Sequence, residues 1–178
     1  MSLHRFYLSD SSVSGEHVMN WQDICDNPLF KDLPFKFETD RWGHIVMSPA
    51  TDKRSRLQGE ILNLLRQHLP HGRVLSECSV QTSEGVKVAD AVWASAEFFA
   101  HRGLANPSPE APEIVVEVLS PSNGRAETEE KKELYFARGA REFWVCREDG
   151  EMLFYNNHAR LEHSTLAPEF PTRVELPA

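Results

Sequence analysis

The sequence lacks the features that several protein classes require. Its three cysteines, Cys25, Cys78 and Cys146, stand far apart with no C-x-x-C pair, which argues against a disulfide framework and a thiolate zinc site. No apolar run approaches the roughly 18 residues that a membrane helix needs, and the amino terminus lacks the apolar segment of a secretory signal. We therefore expect a cytoplasmic protein with reduced thiols and no membrane partner.

Basic residues are also fewer than acidic residues. Lys and Arg total 19 against 27 Asp and Glu, and the formal net charge is -8. Proteins that coat nucleic acid by long-range attraction use clustered Lys and Arg, so this mode of binding is disfavoured. Residues 51–73 differ from the rest of the chain, because this segment contains more basic than acidic residues. A local basic strip is therefore compatible with the sequence.

The composition is otherwise that of one globular protein. Of the 178 residues, 40% are hydrophobic and 26% are charged, which excludes collagen, a coiled coil and general disorder. We expect residues 1–34 to form an ordered lead-in with a short helix near 18–25. Residues 35–178 should form the main domain, and both parts should belong to one globular unit.

Hydrophobic periodicity predicts an α/β fold. Alternating residues indicate strands, and apolar residues at the helical period indicate two longer helices. The predicted elements are a hairpin (35–47), a helix (52–69), a second hairpin (74–93), a short helix (96–101), a buried strand (113–120), a helix (125–138) and two strands (142–146 and 151–155). Such interleaving is typical of a mixed central sheet flanked by helices.

Two acidic residues interrupt the predicted buried strands. Glu117 shares a strand face with Val115, and Asp90 shares one with Val88 and Val92. Because an unpaired buried carboxylate is costly, each acid needs an ion pair, hydrogen bonds or a bound cation. If the strands are neighbours, the acids converge on Mg²⁺ or Mn²⁺; otherwise each lies at a strand end, solvated or paired with arginine.

The helix predicted at 125–138 carries a lysine on its inward face. Lys131 lies three and four residues before Leu134 and Tyr135, which define that face. An ammonium group there could orient or deprotonate a metal-bound water and stabilise charge on a phosphoryl group. The alternative is a simple ion pair of Lys131 with Glu117 or Glu127.

The helix predicted at 52–69 has polar residues at its apolar face. Arg54 and Gln58 lie on or beside the apolar stripe, and Glu60 lies at its opposite edge. These side chains could border the mouth of an active site, although the first turn of a helix is often polar. Arg54 and Arg56 are candidates for contact with a nucleic-acid backbone.

Three segments together resemble a known family. The stretches GVKVADAVWAS (85–95), PEIVVEVLSPSN (112–123) and EKKELYFARGAREFWV (130–145) are similar to the Uma-two (Uma2) family of restriction endonucleases, in the PD-(D/E)XK nuclease superfamily. The similarity extends over residues 35–155. It implies a restriction-endonuclease-like core with β-hairpin additions and metal-dependent hydrolysis of phosphodiester bonds in DNA.

The resemblance also implies roles for individual residues. Asp90 matches the acid of the PD motif and Glu117 the acid of the (D/E)XK motif, so both would bind Mg²⁺ or Mn²⁺. Leu119 stands where the motif lysine is expected, but the family has a lysine in the next helix, and Lys131 fills that place. Ala89 replaces the proline of the PD pair. The supporting members of this candidate site are Glu38, Gln58, Glu60 and Glu127.

Other functions stay open at this point. A degenerate nuclease fold could serve as a protein-interaction or nucleic-acid-binding subunit, with the acids and the lysine as an inert buried ion-pair cluster. The net charge of -8 is easier to explain in that case. A hydrolase of another phosphoester uses the same chemistry. A homodimer could form through Trp42, Phe143 and Trp144, unless these are ordinary core aromatics.

Overall fold

The computed structural model describes residues 19–102, 105–120 and 124–176. Residues 1–18 of the predicted lead-in, including the first position of its predicted helix, lie outside these ranges. The elements in chain order are α1 Trp21–Asp26, β1 Phe35–Thr39, β2 Ile45–Pro49, α2 Asp52–His68, β3 Gly72–Thr82, β4 Gly85–Ser95, α3 Ala96–Arg102, β5 Ile114–Val118, α4 Arg125–Ala137, β6 Glu142–Cys146, β7 Met152–Tyr155 and β8 Arg160–Leu161.

The strands form two sheets. β3 to β8 make a six-stranded mixed sheet in the order β3-β4-β5-β6-β7-β8, and β1 and β2 make a separate two-stranded sheet. β5 and β6 are parallel, because α4 crosses over between them, and the other neighbours in the larger sheet are antiparallel. The predicted fold class, a mixed sheet flanked by helices, is confirmed.

The two sides of the larger sheet pack against different helices. On β5, Ile114 and Val116 belong to a hydrophobic core that includes Leu57 of α2. The intervening Val115 belongs to a second core that includes Tyr135 of α4. Because side chains alternate across a strand, this one strand contributes to both cores, and all five of its residues are buried.

The hairpin of β1 and β2 lies against β4 where that strand has no neighbour from β5. Oγ1 of Thr39 accepts the backbone N–H of Val86 at 2.8 Å, and Oε1 of Glu38 accepts that of Val88 at 3.0 Å. Gly85, with φ of 87°, begins β4 in close contact with this hairpin. A Cβ at Gly85 would lie 2.4 Å from the carbonyl oxygen of Asp40. The chain therefore needs glycine here, and side chains of β1 satisfy the open edge of β4.

Several features differ from the sequence predictions in detail. The two-residue strand β8 was not predicted, because two residues are too few to show periodicity. Among the proposed dimer-face aromatics, Phe143 and Trp144 are fully buried, whereas Trp42 is 61% exposed. The part of the chain that the structure describes contains no helix long and apolar enough to cross a membrane.

Candidate active site

Asp90 and Glu117 lie side by side where β4 and β5 separate. The two strands pair as far as Ala91 and Val116, and the acids are the next residue on each strand. Oδ2 of Asp90 accepts the backbone N–H of Val118 at 2.7 Å. The carboxylate therefore supplies the acceptor that this buried N–H group needs beyond the end of the strand pairing.

One ammonium group contacts both acids. Nζ of Lys36 in β1 is 2.7 Å from Oδ1 of Asp90 and 3.3 Å from Oε2 of Glu117. We call the point between these two oxygens the shared cation site. The Lys36, Asp90 and Glu117 side chains are 5%, 0% and 7% exposed, so their charges are poorly screened by water. The two acids thus converge on one point, and an amine occupies it.

Six charged side chains from five elements form what we call the ionic cluster. Its members are the anions Glu38, Asp90 and Glu117 and the cations Lys36, Arg54 and Lys131. The guanidinium group of Arg54, from α2, donates to Oδ1 of Asp90. Equal numbers of both signs satisfy the requirement that buried charge be paired. Loss of any one member would leave an uncompensated charge inside the protein.

Lys131 reaches the ionic cluster from the inward face of α4. Its Nζ is 2.7 Å from Oε1 of Glu38 and 3.4 Å from Oε2 of Glu117. The hydroxyl of Tyr135, one turn further along α4, donates to Oε1 of Glu117 at 3.1 Å. Lys131 therefore lies beside Glu117 of the acidic pair. Glu38 holds its ammonium group, and Tyr135 holds the carboxylate of Glu117.

Gln58 of α2 connects the acidic strand to β3. Its Nε2 donates to the backbone carbonyl of Asp90 at 2.7 Å and to Oε1 of Glu77 at 3.0 Å. Glu77 lies in β3 between Ser76 and Cys78, which pair with Ala91 and Ala89, and its φ of 50° is in the left-handed region. Residues other than glycine rarely adopt this conformation, and such residues concentrate at functional sites.

The environment drives the pKa values of the two central acids apart. Burial alone would raise the pKa of Asp90, but Lys36 and Arg54 outweigh it and hold that pKa below its usual value. For Glu117, burial and the neighbouring carboxylates outweigh Lys131 and Lys36, so its pKa is raised. Asp90 therefore keeps its negative charge at lower pH than Glu117 does.

The same fields determine the protonation state of the groups on α4. Burial would lower the pKa of Lys131, but Glu117 and Glu38 outweigh burial and raise it. The pKa of Tyr135 is raised well above its usual value by burial and then by Glu117. Lys131 is consequently an ammonium group that donates hydrogen bonds, which favours an orienting role over that of a base, and Tyr135 is a neutral donor.

The other predicted site residues have varied positions. Glu127 and Glu117 line a cavity of about 10 Å³ beside the ionic cluster, close to the volume that one water needs. Glu60 is half-buried on α2, and its carboxylate accepts from Asn63 at 3.5 Å. Arg56 is exposed on the same helix. Glu127 therefore lies next to Glu117 of the acidic pair, whereas Glu60 and Arg56 are not members of the ionic cluster.

Lys36 is the cluster member that the sequence analysis missed. In FKFET the alternation suggests an apolar inner face and a polar outer face. The structure has the reverse: Lys36 and Glu38 are 8% and 6% exposed, while Phe35 is 38% exposed. Arg54, considered for backbone contact, is also 8% exposed and bonds Asp90. The sequence did contain one signal of this burial, because Lys36 and Glu38 are opposite charges two residues apart and therefore lie on the same face of the strand.

A divalent ion fits the chemistry of these acids but not the present positions of their neighbours. Within the described ranges, no set of three or more His, Cys, Asp or Glu side chains is arranged to hold a metal ion. The ammonium of Lys36 is nevertheless a stand-in for such an ion, because Asp90 and Glu117 both contact it. Carboxylate oxygens are the ligands that Mg²⁺ and Mn²⁺ prefer. Asp90 and Glu117 are therefore the residues that would hold such an ion.

The fold is the mixed sheet flanked by helices that the sequence similarity implied. The three residues for which that similarity implied roles, Asp90, Glu117 and Lys131, all belong to the ionic cluster. The model of the Uma2 family, described as "Putative restriction endonuclease", matches residues 29–175. The chain belongs to the Uma2 family of restriction-endonuclease-like proteins.

A solved structure shares the fold. It is described as the crystal structure of a "putative nuclease belonging to DUF820" from Anabaena variabilis ATCC 29413. The two structures align with a TM-score of 0.60 and 18% sequence identity, over 69% of this chain and 73% of that one. Among proteins with curated functions, none matches the chain. At this level of identity the likeness demonstrates the fold.

Proposed function

We propose that this protein is a metal-dependent endonuclease that hydrolyses phosphodiester bonds in DNA. The observation that carries the proposal is the contact of Asp90 and Glu117 with one cationic group at 2.7 and 3.3 Å, in a chain of a restriction endonuclease family. The pKa values of these two acids are shifted in opposite directions by burial and by specific neighbouring charges, and such shifted groups are concentrated at functional sites. Family membership indicates that the substrate is a nucleic acid.

Asp90 and Glu117 would hold Mg²⁺ or Mn²⁺ at the shared cation site. When bound, such an ion polarises a phosphate oxygen and lowers the pKa of its water. The raised pKa of Lys131 keeps its ammonium charged, so this group orients a water or stabilises negative charge on the phosphoryl group. Glu38, at 2.7 Å, positions Lys131, and Gln58 holds the backbone of Asp90.

Cleavage and metal binding together test this proposal. We expect the purified chain to cleave plasmid DNA with Mg²⁺ or Mn²⁺, and Asp90→Asn, Glu117→Gln and Lys131→Met to lower the rate at least about 100-fold. Glu130→Gln, exposed and next to Lys131, is the matched control and should cleave like the original chain. Calorimetry should show Mn²⁺ binding that Asp90→Asn weakens.

The proposal fails if the folded protein cleaves no DNA with either ion, or if Asp90→Asn cleaves at the original rate. A folded state must be verified for each variant, because Asp90 is fully buried. Circular dichroism and urea denaturation provide that check.

A second candidate is a degenerate member of the fold that binds a protein or nucleic acid without catalysis. The observation in its favour is the equality of three anions and three cations in the ionic cluster, since a cluster already neutral needs no metal for stability. It predicts a stable protein that neither binds Mn²⁺ nor cleaves DNA. For the nuclease we propose DNA as the partner and the cytoplasm as the location. A homodimer stays a prediction, and of the three aromatics considered for it only Trp42 is exposed.

A further inference from the structure

The position that suits a divalent ion already contains a positive charge. Lys36 Nζ lies between Oδ1 of Asp90 and Oε2 of Glu117, at 2.7 and 3.3 Å. A metal bound to both oxygens would be at less than van der Waals distance from that ammonium, and like charges repel strongly in a buried site. The amine and a metal ion therefore exclude each other from the shared cation site.

Lys36 also borders an open space. It lines a cavity of about 300 Å³ that is formed by α1, β1, β3 and the loops beside them. Trp21 and Phe30 contribute aromatic walls, Lys31 a second amine, and Glu77 a carboxylate. The long, flexible lysine stem can place its ammonium on either side of this boundary by rotation about its side-chain bonds.

The other two cations of the ionic cluster differ from Lys36 in their partners. Lys131 has its closest contact, at 2.7 Å, with Glu38 and not with the acidic pair. Arg54 donates to Oδ1 of Asp90, and among the described residues it has no hydrogen bond or ion pair with Glu117. Lys36 is thus the cation within hydrogen-bond distance of both acids.

We propose that Lys36 is a displaceable resident cation: its ammonium fills the shared cation site until a divalent ion enters, and then turns into the 300 Å³ cavity, toward Glu77. This inference rests on the proposed metal-dependent function. In its second position the ammonium faces open space and is available to a phosphate of the substrate. Lys36 therefore weakens metal binding in the absence of substrate.

Calorimetric titration of Mn²⁺ into Lys36→Met and Lys131→Met tests this exchange. Both variants remove one positive charge from the same ionic cluster, but Lys36→Met removes the ammonium that contacts both acids, whereas Lys131→Met removes one that contacts Glu117 and Glu38. We expect Lys36→Met to bind Mn²⁺ about tenfold more tightly than Lys131→Met. Lys87→Met is the control for loss of a lysine near the hairpin, because Lys87 donates to the carbonyl of Thr39 at 3.1 Å and lies outside the ionic cluster; this variant should bind Mn²⁺ like the original chain.

A second measurement uses the original chain and does not depend on how the variants fold. Acetylation of lysines, read by mass spectrometry, reports which amines are accessible. We expect Mn²⁺ to increase labelling of Lys36, which leaves its buried position, and to leave Lys131 unchanged because Glu38 retains it. Labelling of Lys36 that stays constant at saturating Mn²⁺ would overturn the exchange.

The outcomes separate this inference from the proposed function. Mn²⁺ binding that is lost in Asp90→Asn but equal in Lys36→Met and Lys131→Met overturns the role of Lys36 and leaves the metal site in place. Absence of Mn²⁺ binding in the original chain and in every variant overturns both. Mn²⁺ binding that is measurable in the original chain and tightest in Lys36→Met supports the inference.

Discussion

Replacement of Glu38 by Gln would leave the ammonium of Lys131 buried with one carboxylate fewer. The two side chains are 8% and 9% exposed, and their charged atoms are 2.7 Å apart. Because the amide of Gln can still accept the N–H of Val88, the loss is mainly one of charge. Breaking a buried pair from one side costs about 3–5 kcal/mol of unfolding free energy, and we expect about 3 for Glu38→Gln or Lys131→Met.

The double variant, Glu38→Gln with Lys131→Met, measures the interaction energy of the pair apart from the effects of each single substitution. With both charges gone, the ionic cluster is balanced again, so we expect about 3 kcal/mol of coupling between Glu38 and Lys131 in the double-mutant cycle. The exposed pair Arg147–Glu151, whose side chains are 53% and 34% exposed, is the control, with expected coupling of about 1 kcal/mol or less.

Urea denaturation of each variant gives the unfolding free energies, and equal slopes verify that the same surface is exposed on unfolding. A coupling energy for Glu38–Lys131 no larger than that of Arg147–Glu151 would refute the reasoning. It would mean that water or other charges compensate the loss of either partner.

Three further predictions concern single positions. The pKa of Glu117 is raised in the folded state, so the folded state binds a proton at this residue more tightly than the unfolded chain does. The resulting contribution of Glu117 to the unfolding free energy is present at low pH and is lost as pH rises through the folded pKa. As pH falls through the folded pKa toward the usual pKa of a glutamate, the unfolding free energy of the original chain should therefore rise relative to that of Glu117→Gln, whereas a constant difference would contradict this direction. Tyr135→Phe removes the 3.1 Å hydrogen bond to Glu117 and should cost about 1–3 kcal/mol in urea denaturation; no loss would show that another donor replaces the hydroxyl. Gly150→Ala should lower stability by more than about 1 kcal/mol, because φ is 84° and the new Cβ would lie 2.1 Å from the carbonyl oxygen of Val174; an unchanged melting temperature would contradict it.

The elements of the fold were predictable where periodicity extends over many residues. The helix expected at 52–69 is observed at Asp52–His68, and that expected at 125–138 at Arg125–Ala137. Thr51, whose side chain accepts the N–H of Arg54, explains why the first of these boundaries is sharp. Strand order could not be predicted, because it depends on pairings between distant segments that local patterns do not encode.

The candidate site was predictable where charge interrupts an apolar pattern. Asp90 and Glu117 could be identified as candidate site residues because each stands among valines. The pairing of β4 and β5 brings their side chains close together. Lys36 was not visible, because a lysine in an alternating strand is typical of a solvent-exposed face. The alternation of β1 is inverted since its inner face contacts the ionic cluster and not a hydrophobic core.

The charge balance of the ionic cluster has a consequence for substrate binding. With three anions and three cations, the cluster is neutral. In the proposed exchange, a divalent ion replaces the single charge of Lys36, and the site gains one positive charge that a buried position tolerates poorly. A phosphate group brings one negative charge and restores neutrality. Metal and nucleic acid should therefore bind more tightly together than separately, and reciprocity requires that each strengthen the other by the same factor. In the proposed mechanism this coupling would let a chain with a net charge of -8 act on a polyanion, because the attraction would arise locally after the metal enters.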